Sequence, residues 1–213
     1  MANQTVTEAE YIYDNNPQDL VEKIVQSRIL NCTFWKEECF GLTAALLVDK
    51  AIKLRFIGGV FGCNAQPTPF ICLVLKMLQL QPEKDIIVEF IKNEDYKYVR
   101  AMGAFYMRLT GTAFDCYRYL KPLQADYRNV CIQNSEGEFK IITMDEFIDN
   151  LFKEERSCSV LLPRLQLRHN LDGNNKIEPK VFVIDVDMNE NINSSEGDYI
   201  PSAMINKKRR ILP

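Results

Sequence analysis

The chain has 213 residues, of which 46% are apolar and 26% charged, and its formal net charge is −3. These values fit one globular domain with a tail, and they exclude a chain too polar to bury a core. No stretch approaches the roughly 18 apolar residues of a membrane span, and residues 1–14 lack the features of a secretory signal. We therefore expect a monomeric protein that stays inside the cell and binds no membrane.

Cysteine usage agrees with that expectation. The seven cysteines are odd in number and form no C-x-x-C motif. Since most of them stand among apolar residues, we predict reduced thiols rather than a disulfide framework.

The N-terminal half predicts a series of short helices. Asn16-Pro17 is a cap followed by a proline at the first helical position, and an apolar stripe follows it at Leu20, Val21, Ile24, Val25 and Ile29. The same reasoning predicts helices at 33–40, 42–54, 68–78 and 83–92.

Three glycines interrupt this series in the segment 55–64. Gly58, Gly59 and Gly62 match neither of the glycine-rich phosphate-binding motifs, and no predicted strand leads into them. We interpret the segment as an inward-packing structural turn, with a phosphate site as the less favoured alternative.

The central predicted helix covers 96–111. Apolar or aromatic residues lie on nearly every side of it, which predicts neighbours around most of its surface. Its exceptions Lys97, Arg100 and Arg108 fall within about 60° of one another on a helical wheel. We expect them to form a narrow basic strip open to solvent or to a partner.

The remaining elements complete the predicted fold. Thr112 begins another helix, segments 130–133 and 138–142 flank a turn, and 143–146 is a capping box. A last helix is predicted from 160 to 171. The fold class is all-α: a single irregular multi-helix domain at 1–171, with one small β-hairpin at about 130–142, and a flexible tail at 172–213.

Charge is concentrated in the tail. Segment 172–198 holds seven acidic residues against two lysines, and Lys207–Arg210 is basic. Taking these six basic and seven acidic residues from the totals of 26 and 29 leaves 1–171 near neutrality, with 20 and 22. Asp185 to Glu196 resembles a calcium loop, but Glu190 replaces its glycine, so we favour an acidic tail. The basic run is either a nuclear localisation signal or a solvated end.

No catalytic, cofactor or metal site is predicted. His169 is the only histidine, and no cysteine is near it in the sequence. Glu89, Glu94 and Asp115 could include an acid–base pair for hydrolysis, but we favour ion pairing with the basic strip. The sequence thus predicts an interaction module, not an enzyme.

Partner binding is predicted beside the central helix. We expect helical segments of partners to dock in grooves there, because tyrosine and arginine are enriched among interface hot spots. The predicted anchors are Tyr96, Arg100, Tyr106, Arg108 and Tyr117, although Tyr106 and Tyr117 could instead be core tyrosines. Direct RNA binding through Lys97, Arg100, Arg108, Tyr96 and Tyr98 is the alternative.

An ordered series of segments resembles a known family. It includes WKEECFGLT at 35–43, LRFIGGVFG at 54–62, PTPF at 67–70, LKMLQ at 75–79, QPEKDIIVEFIK at 81–92, YVR at 98–100 and YMRLTG at 106–111. Together they resemble the N-terminal domain of the pre-mRNA-splicing factor 38 family, from about residue 3 to residue 168.

This resemblance implies a function that the residues alone do not. It implies a nuclear, non-catalytic scaffold of the tri-snRNP or pre-catalytic complex that is required for spliceosome activation. The implied partners are a zinc-finger tri-snRNP protein and the microfibrillar-associated splicing protein, with snRNP RNA contacted only indirectly or weakly. Metazoan members carry a long Arg/Ser-rich tail, which the short segment 172–213 does not match, so tail functions are not carried over.

Overall fold

The computed structural model describes residues 11–12 and 16–166. Seven α-helices lie within this part of the chain: α1 (Lys23–Asn31), α2 (Ala44–Ile52), α3 (Pro69–Leu80), α4 (Lys84–Lys92), α5 (Lys97–Thr110), α6 (Ala113–Leu120) and α7 (Met144–Lys153). Shorter helical turns are Pro17–Leu20, Trp35–Cys39 and Lys121–Ala125. The predicted tail at 172–213 lies outside the described residues, as do His169, the calcium-like segment and Lys207–Arg210. The domain boundary at 171 stays a prediction.

The core is built around α3 and α5. Every residue of α3 from Phe70 to Gln79 is buried, and so is every residue of α5 from Val99 to Leu109. The two helices meet through the rings of Phe70 and Phe105, whose centroids are 5.6 Å apart in an edge-to-face arrangement. The central helix is therefore surrounded by protein on nearly all sides, as its composition predicts.

Close packing of α4 on α5 depends on Gly103. A Cβ atom at this position would lie 2.8 Å from the Cβ of Phe90, which is closer than two carbon atoms can approach. The glycine thus lets the two helices approach each other closely, and this contact fixes the position of α4 beside the central helix.

Three small sheets accompany the helices within the described residues. In the first, β4 (Asn129–Gln133) pairs antiparallel with β5 (Phe139–Thr143) and parallel with β1 (Ile57–Gly58). The second pairs β2 (Val60–Phe61) with β3 (Gln66–Pro67), and the third pairs β6 (Arg156–Ser157) with β7 (Val160–Leu161). The mostly helical fold and the hairpin near 130–142 are confirmed, but the prediction of a single hairpin is wrong.

The glycine segment packs inward against the last hairpin. Gly59 is buried, and a Cβ atom there would lie 2.3 Å from backbone atoms of Cys158. Beside it, the backbone N–H of Val60 donates a hydrogen bond to the Ser159 hydroxyl, at 3.0 Å. The interpretation of this segment as a structural turn fits this packing, because glycine is needed where two backbones approach so closely.

Two further local predictions are wrong. The helix predicted from 160 is instead strand β7 followed by irregular backbone to 166, because Cys158 and Ser159 adopt positive φ angles of 49° and 64° and turn the chain back on itself. The capping box does not form, since the Thr143 side chain makes no cap hydrogen bond. Thr143 is also the last residue of β5, which fixes its backbone by strand pairing.

Candidate partner-docking surface

The predicted basic strip does not face solvent. Arg100 is 8% exposed and Arg108 only 4%, while Ala101 and Ala104 between them are fully buried. The prediction of a solvent-open strip is therefore wrong, and each arginine has a structural environment inside the protein.

Arg100 closes the end of α4. Its guanidinium donates to the backbone carbonyls of Asn93, at 2.8 Å, and Lys92, at 3.3 Å. These carbonyls lie at the C-terminal end of α4, where helical partners are lacking and the helix dipole favours a cation. Arg100 also forms an ion pair with Asp126 at 2.6 Å. Arg100 thus links the end of α4 to Asp126, which follows the turn Lys121–Ala125.

Asp126 is the acid that sequence reasoning missed. It accepts from Arg128 at 2.7 Å as well as from Arg100, and its side chain is only 10% exposed. The hydrogen bond from Arg128, followed by the one from Arg100, lowers the pKa of Asp126 to about 2. The predicted ion-pair partners for the strip were Glu89, Glu94 and Asp115, all closer to it in sequence.

Arg108 has a comparable role at α7. Its Nε donates to the backbone carbonyl of Leu151, in the last turn of α7, at 2.8 Å. The rest of the guanidinium is buried between the helices. Both buried arginines of α5 therefore bind carbonyls of neighbouring helix ends.

The three predicted tyrosines lie in different surroundings. Tyr106 is 5% exposed, and burial raises its pKa above the ordinary value. Tyr117 is half-buried, stacks on Phe152 with centroids 5.4 Å apart, and donates through its hydroxyl to the Gln166 carbonyl at 3.2 Å. Tyr96 is 43% exposed just before α5. The five predicted anchors therefore do not share one surface, and their role in binding stays a prediction.

Two grooves do lie beside the central helix, one on each side of α4. The first, which we name the α2–α4 groove, has a volume of about 430 Å³. Its walls come from α2 and α4 and its floor from α5, through Ala44, Ala45, Val48, Ile86, Phe90 and Val99. Small alanines on one wall leave room for a packed helix, and Glu89 and Asn93 supply its polar edge.

The second groove, which we name the α4–α6 cleft, has a volume of about 630 Å³. It is bounded by the starts of α4 and α6, and its floor includes Tyr106, Met107 and Thr110 of α5. Asp115 lines this cleft and is bound by Lys84 at 2.6 Å and by the Thr112 hydroxyl at 2.8 Å. The cleft is more polar than the α2–α4 groove and contains the N-terminal residues Tyr11 and Ile12.

Two of the carboxylates considered for hydrolysis, Glu89 and Asp115, are not brought together. Glu89 lines the α2–α4 groove, while Asp115 lines the α4–α6 cleft, so they cannot act as an acid–base pair on one substrate. Across the described ranges, no group of three or more histidine, cysteine or acidic side chains could hold a metal ion. No helix in the same part of the chain is long and apolar enough to cross a membrane.

Comparison with known proteins identifies relatives of this chain. Pre-mRNA-splicing factor 38A of Xenopus laevis is 62% identical over 190 residues, which cover 89% of this chain and 61% of that protein. Pre-mRNA-splicing factor 38 of Drosophila melanogaster is 59% identical over 196 residues, covering 92% and 59%. The chain thus spans about 60% of the length of these relatives.

A solved structure is similar over most of the fold. The crystal structure of the Snu23-Prp38-MFAP1(217-258) complex of Chaetomium thermophilum contains a chain that superposes with a TM-score of 0.77 at 38% identity. The match covers 82% of this chain and 92% of that one. The model of the PRP38 family matches residues 10–175, which is most of the sequence. This chain belongs to the PRP38 family.

Proposed function

We propose that this chain is a non-catalytic scaffold in pre-mRNA splicing, in which helical segments of other splicing proteins dock beside α5. Its family membership and its relatives named as splicing factors support this role. We infer that it works in the nucleus, in the tri-snRNP or pre-catalytic complex, and contributes there to spliceosome activation.

The relative from Chaetomium thermophilum suggests the partners. That protein was solved in complex with Snu23 and with a segment of MFAP1, residues 217–258. We propose that the corresponding proteins, a zinc-finger tri-snRNP protein and the microfibrillar-associated splicing protein, bind this chain. A segment of about forty residues is long enough to form several helical turns against a groove.

The observation that carries the proposal is the pair of grooves on the two sides of α4. The α2–α4 groove has an apolar floor and a wall of small residues, which is the surface that an amphipathic helix requires. The α4–α6 cleft adds an ion pair and a tyrosine, Tyr106, to a wider opening. Two grooves are compatible with two partners binding at the same time.

The structure changes the part that the predicted anchors play in this proposal. Tyr96 and Tyr117 are accessible enough to contact a partner, and Tyr106 can do so only through the floor of the α4–α6 cleft. Arg100 and Arg108 are better placed to support binding indirectly, by holding α4 and α7 against α5.

The test blocks each groove separately. Ala45→Arg places a long cation in the α2–α4 groove, and Thr110→Arg does the same in the α4–α6 cleft. Binding of a MFAP1 segment and of Snu23 from the Chaetomium complex is measured by calorimetry. We expect each variant to weaken one partner by ten-fold or more, because a desolvated charge and lost packing oppose docking.

A matched control places the same residue elsewhere. Ala125→Arg adds an arginine at an exposed position in the turn before Asp126, away from the lining of either groove. It should bind both partners like the unmodified chain. Unchanged affinity of both groove variants for both partners would show that docking uses another surface.

Direct RNA binding is the weaker candidate. Burial of Arg100 and Arg108 leaves Lys97 as the accessible cation among the three residues of the predicted strip, and the Lys97 ammonium donates to the Asn129 carbonyl at 2.6 Å. Residues 1–171 are close to neutral, so we expect binding that is weak and falls steeply with salt. Micromolar RNA affinity that survives physiological salt would reverse this ranking.

A further inference from the structure

Two cysteines are in contact where α1 meets α3. Cys32 directly follows α1, and Cys72 lies in the first turn of α3. Their sulfur atoms are 3.8 Å apart, although the residues are 40 positions apart in the chain. A disulfide bond joins sulfurs at about 2.05 Å, so forming one here requires the two sulfurs to come about 1.8 Å closer.

The two sulfurs have different surroundings. Cys72 is fully buried, whereas Cys32 is partly exposed. The backbone N–H of Trp35 donates to the Cys32 sulfur at 3.3 Å, which places that sulfur at the start of the helical turn Trp35–Cys39. This hydrogen bond stabilises a negative charge on the sulfur. Cys32 is therefore the member of the pair that solvent and small oxidants can reach.

Ionisation of the pair follows this asymmetry. The hydrogen bond with Cys72, together with backbone N–H groups, lowers the pKa of Cys32 to about 6. The hydrogen bond with Cys32, together with burial, raises the pKa of Cys72. Ionisation of the pair therefore favours Cys32 over Cys72, and the thiolate is the nucleophilic form of cysteine.

We propose that Cys32 and Cys72 form an oxidative modification site, at which a small peroxide generates a reversible intramolecular disulfide. The Cys32 sulfur attacks one peroxide oxygen, the O–O bond breaks, and hydroxide leaves, so that Cys32 becomes a sulfenic acid. The Cys72 sulfur then attacks the Cys32 sulfur, the S–O bond breaks, and the departing hydroxide takes up the Cys72 proton as water. The two sulfurs lose two electrons in total, and the peroxide is reduced to two water molecules once the first hydroxide takes up the proton that Cys32 released on ionising.

The bond would tie the end of α1 to the start of α3. Cys39 is the competing partner, because it is buried at the end of the neighbouring turn Trp35–Cys39. Burial raises the pKa of Cys39 to about 12, so it remains a thiol without becoming the reactive group. The 3.8 Å contact between the sulfurs of Cys32 and Cys72 makes Cys72 the expected partner.

The first test maps the bond in the unmodified full chain. The protein is treated with hydrogen peroxide, denatured, alkylated and digested, and its peptides are identified by mass spectrometry. We expect a cross-linked peptide joining Cys32 to Cys72, which thioredoxin-type reductants reverse. Cys32→Ser should abolish the cross-link. Cys63→Ser is the matched control, since Cys63 is exposed, and should leave the cross-link unchanged.

A second measurement does not depend on a folded variant at the buried position. The rate of Cys32 alkylation is followed against pH in the unmodified chain, and we expect a midpoint near 6. Cys72→Ala, where it folds, should raise this midpoint because the thiol donor is lost. A midpoint near the ordinary value of about 8.5 would overturn the proposal. So would sulfinic acid at Cys32 with Cys72 unmodified, or a bond from Cys32 to Cys39.

Discussion

The buried arginines of α5 differ in chemistry and in burial from the groove residues of α2. Arg100 is charged and buried, and it binds the carbonyls at the end of α4. Ala45 is small, apolar and exposed, and it borders the open α2–α4 groove. The two buried arginines of α5 therefore mark internal joints, meaning places where a side chain of α5 binds the end of a neighbouring helix, while the α2–α4 groove proposed for a partner is lined mainly by small and apolar side chains.

This difference separates two kinds of substitution. Substitutions at the joint formed by Arg100 should alter the free energy of unfolding. Substitutions in the α2–α4 groove should alter the affinity for a partner and leave the free energy of unfolding almost unchanged. The following measurements test this division, starting with the largest expected effect.

Arg100→Ala should be strongly destabilising. The substitution leaves Asp126 with one cation instead of two and removes the donors to the Lys92 and Asn93 carbonyls. Breaking a buried ion pair of this kind costs about 3 kcal/mol. Urea unfolding should show a loss of that size, which reverses the sequence-based expectation of a solvent-exposed arginine.

The control for this prediction is an arginine outside the joint. Arg28 is exposed on α1, and Arg28→Ala should change the free energy of unfolding by less than about 0.5 kcal/mol. Equal stability of the Arg28 and Arg100 variants would show that the contacts of Arg100 contribute little to the free energy of unfolding. The contrast between the joint and the groove would then be wrong.

Asp126 should make the free energy of unfolding depend on pH. Its folded-state pKa of about 2 lies below the unfolded value, so its contribution is complete above the unfolded pKa and is lost as pH falls from about 4 towards 2. A shift of this size is worth about 2 kcal/mol. We expect Asp126→Asn to be less stable by about that amount at pH 7, and the gap to close on acidification. If the difference in free energy of unfolding between Asp126→Asn and the unmodified chain stayed constant with pH, the loss would come from packing and not from charge.

Tyr117→Phe should have the smallest effect. It removes one hydrogen bond, to the Gln166 carbonyl, and keeps the stacking on Phe152. Because the bond is exposed, we expect a loss of about 0.5 kcal/mol or less in thermal unfolding. A loss above about 2 kcal/mol would show that Tyr117 stabilises the fold as the buried arginines of α5 do. Tyr117 would then be a poor candidate for a partner anchor.

Elements with local signals could be predicted from the sequence. Asn16, Thr68 and Thr112 each make the cap hydrogen bond that their position predicts, and helices or turns begin at the next residue. Central burial of α5 followed from its all-round apolar surface. In each case the determining atoms lie within a few residues of one another, so no knowledge of the tertiary fold was needed.

Elements with distant partners could not be predicted. Strand β1 has two residues and exists because Ile57 and Gly58 pair with Ile132 and Gln133 on β4. Asp126 was missed as the partner of Arg100 because 26 positions separate the two residues. Ile24 fits the helical stripe, yet it is 73% exposed, since the chain bends between the turn Pro17–Leu20 and α1. These features depend on the folded arrangement, which periodicity does not contain.

The contact between the glycine segment 55–64 and the hairpin of β6 and β7 affects when the chain can finish folding during its synthesis. Val60 and Ser159 lie 99 positions apart, and their hydrogen bond joins an early segment to a late one. During synthesis from the N-terminus, this contact cannot form until nearly all of the described domain has been produced. Folding should therefore be completed after translation of the hairpin, and chains truncated before residue 156 should expose the buried glycine segment and be vulnerable to proteolysis.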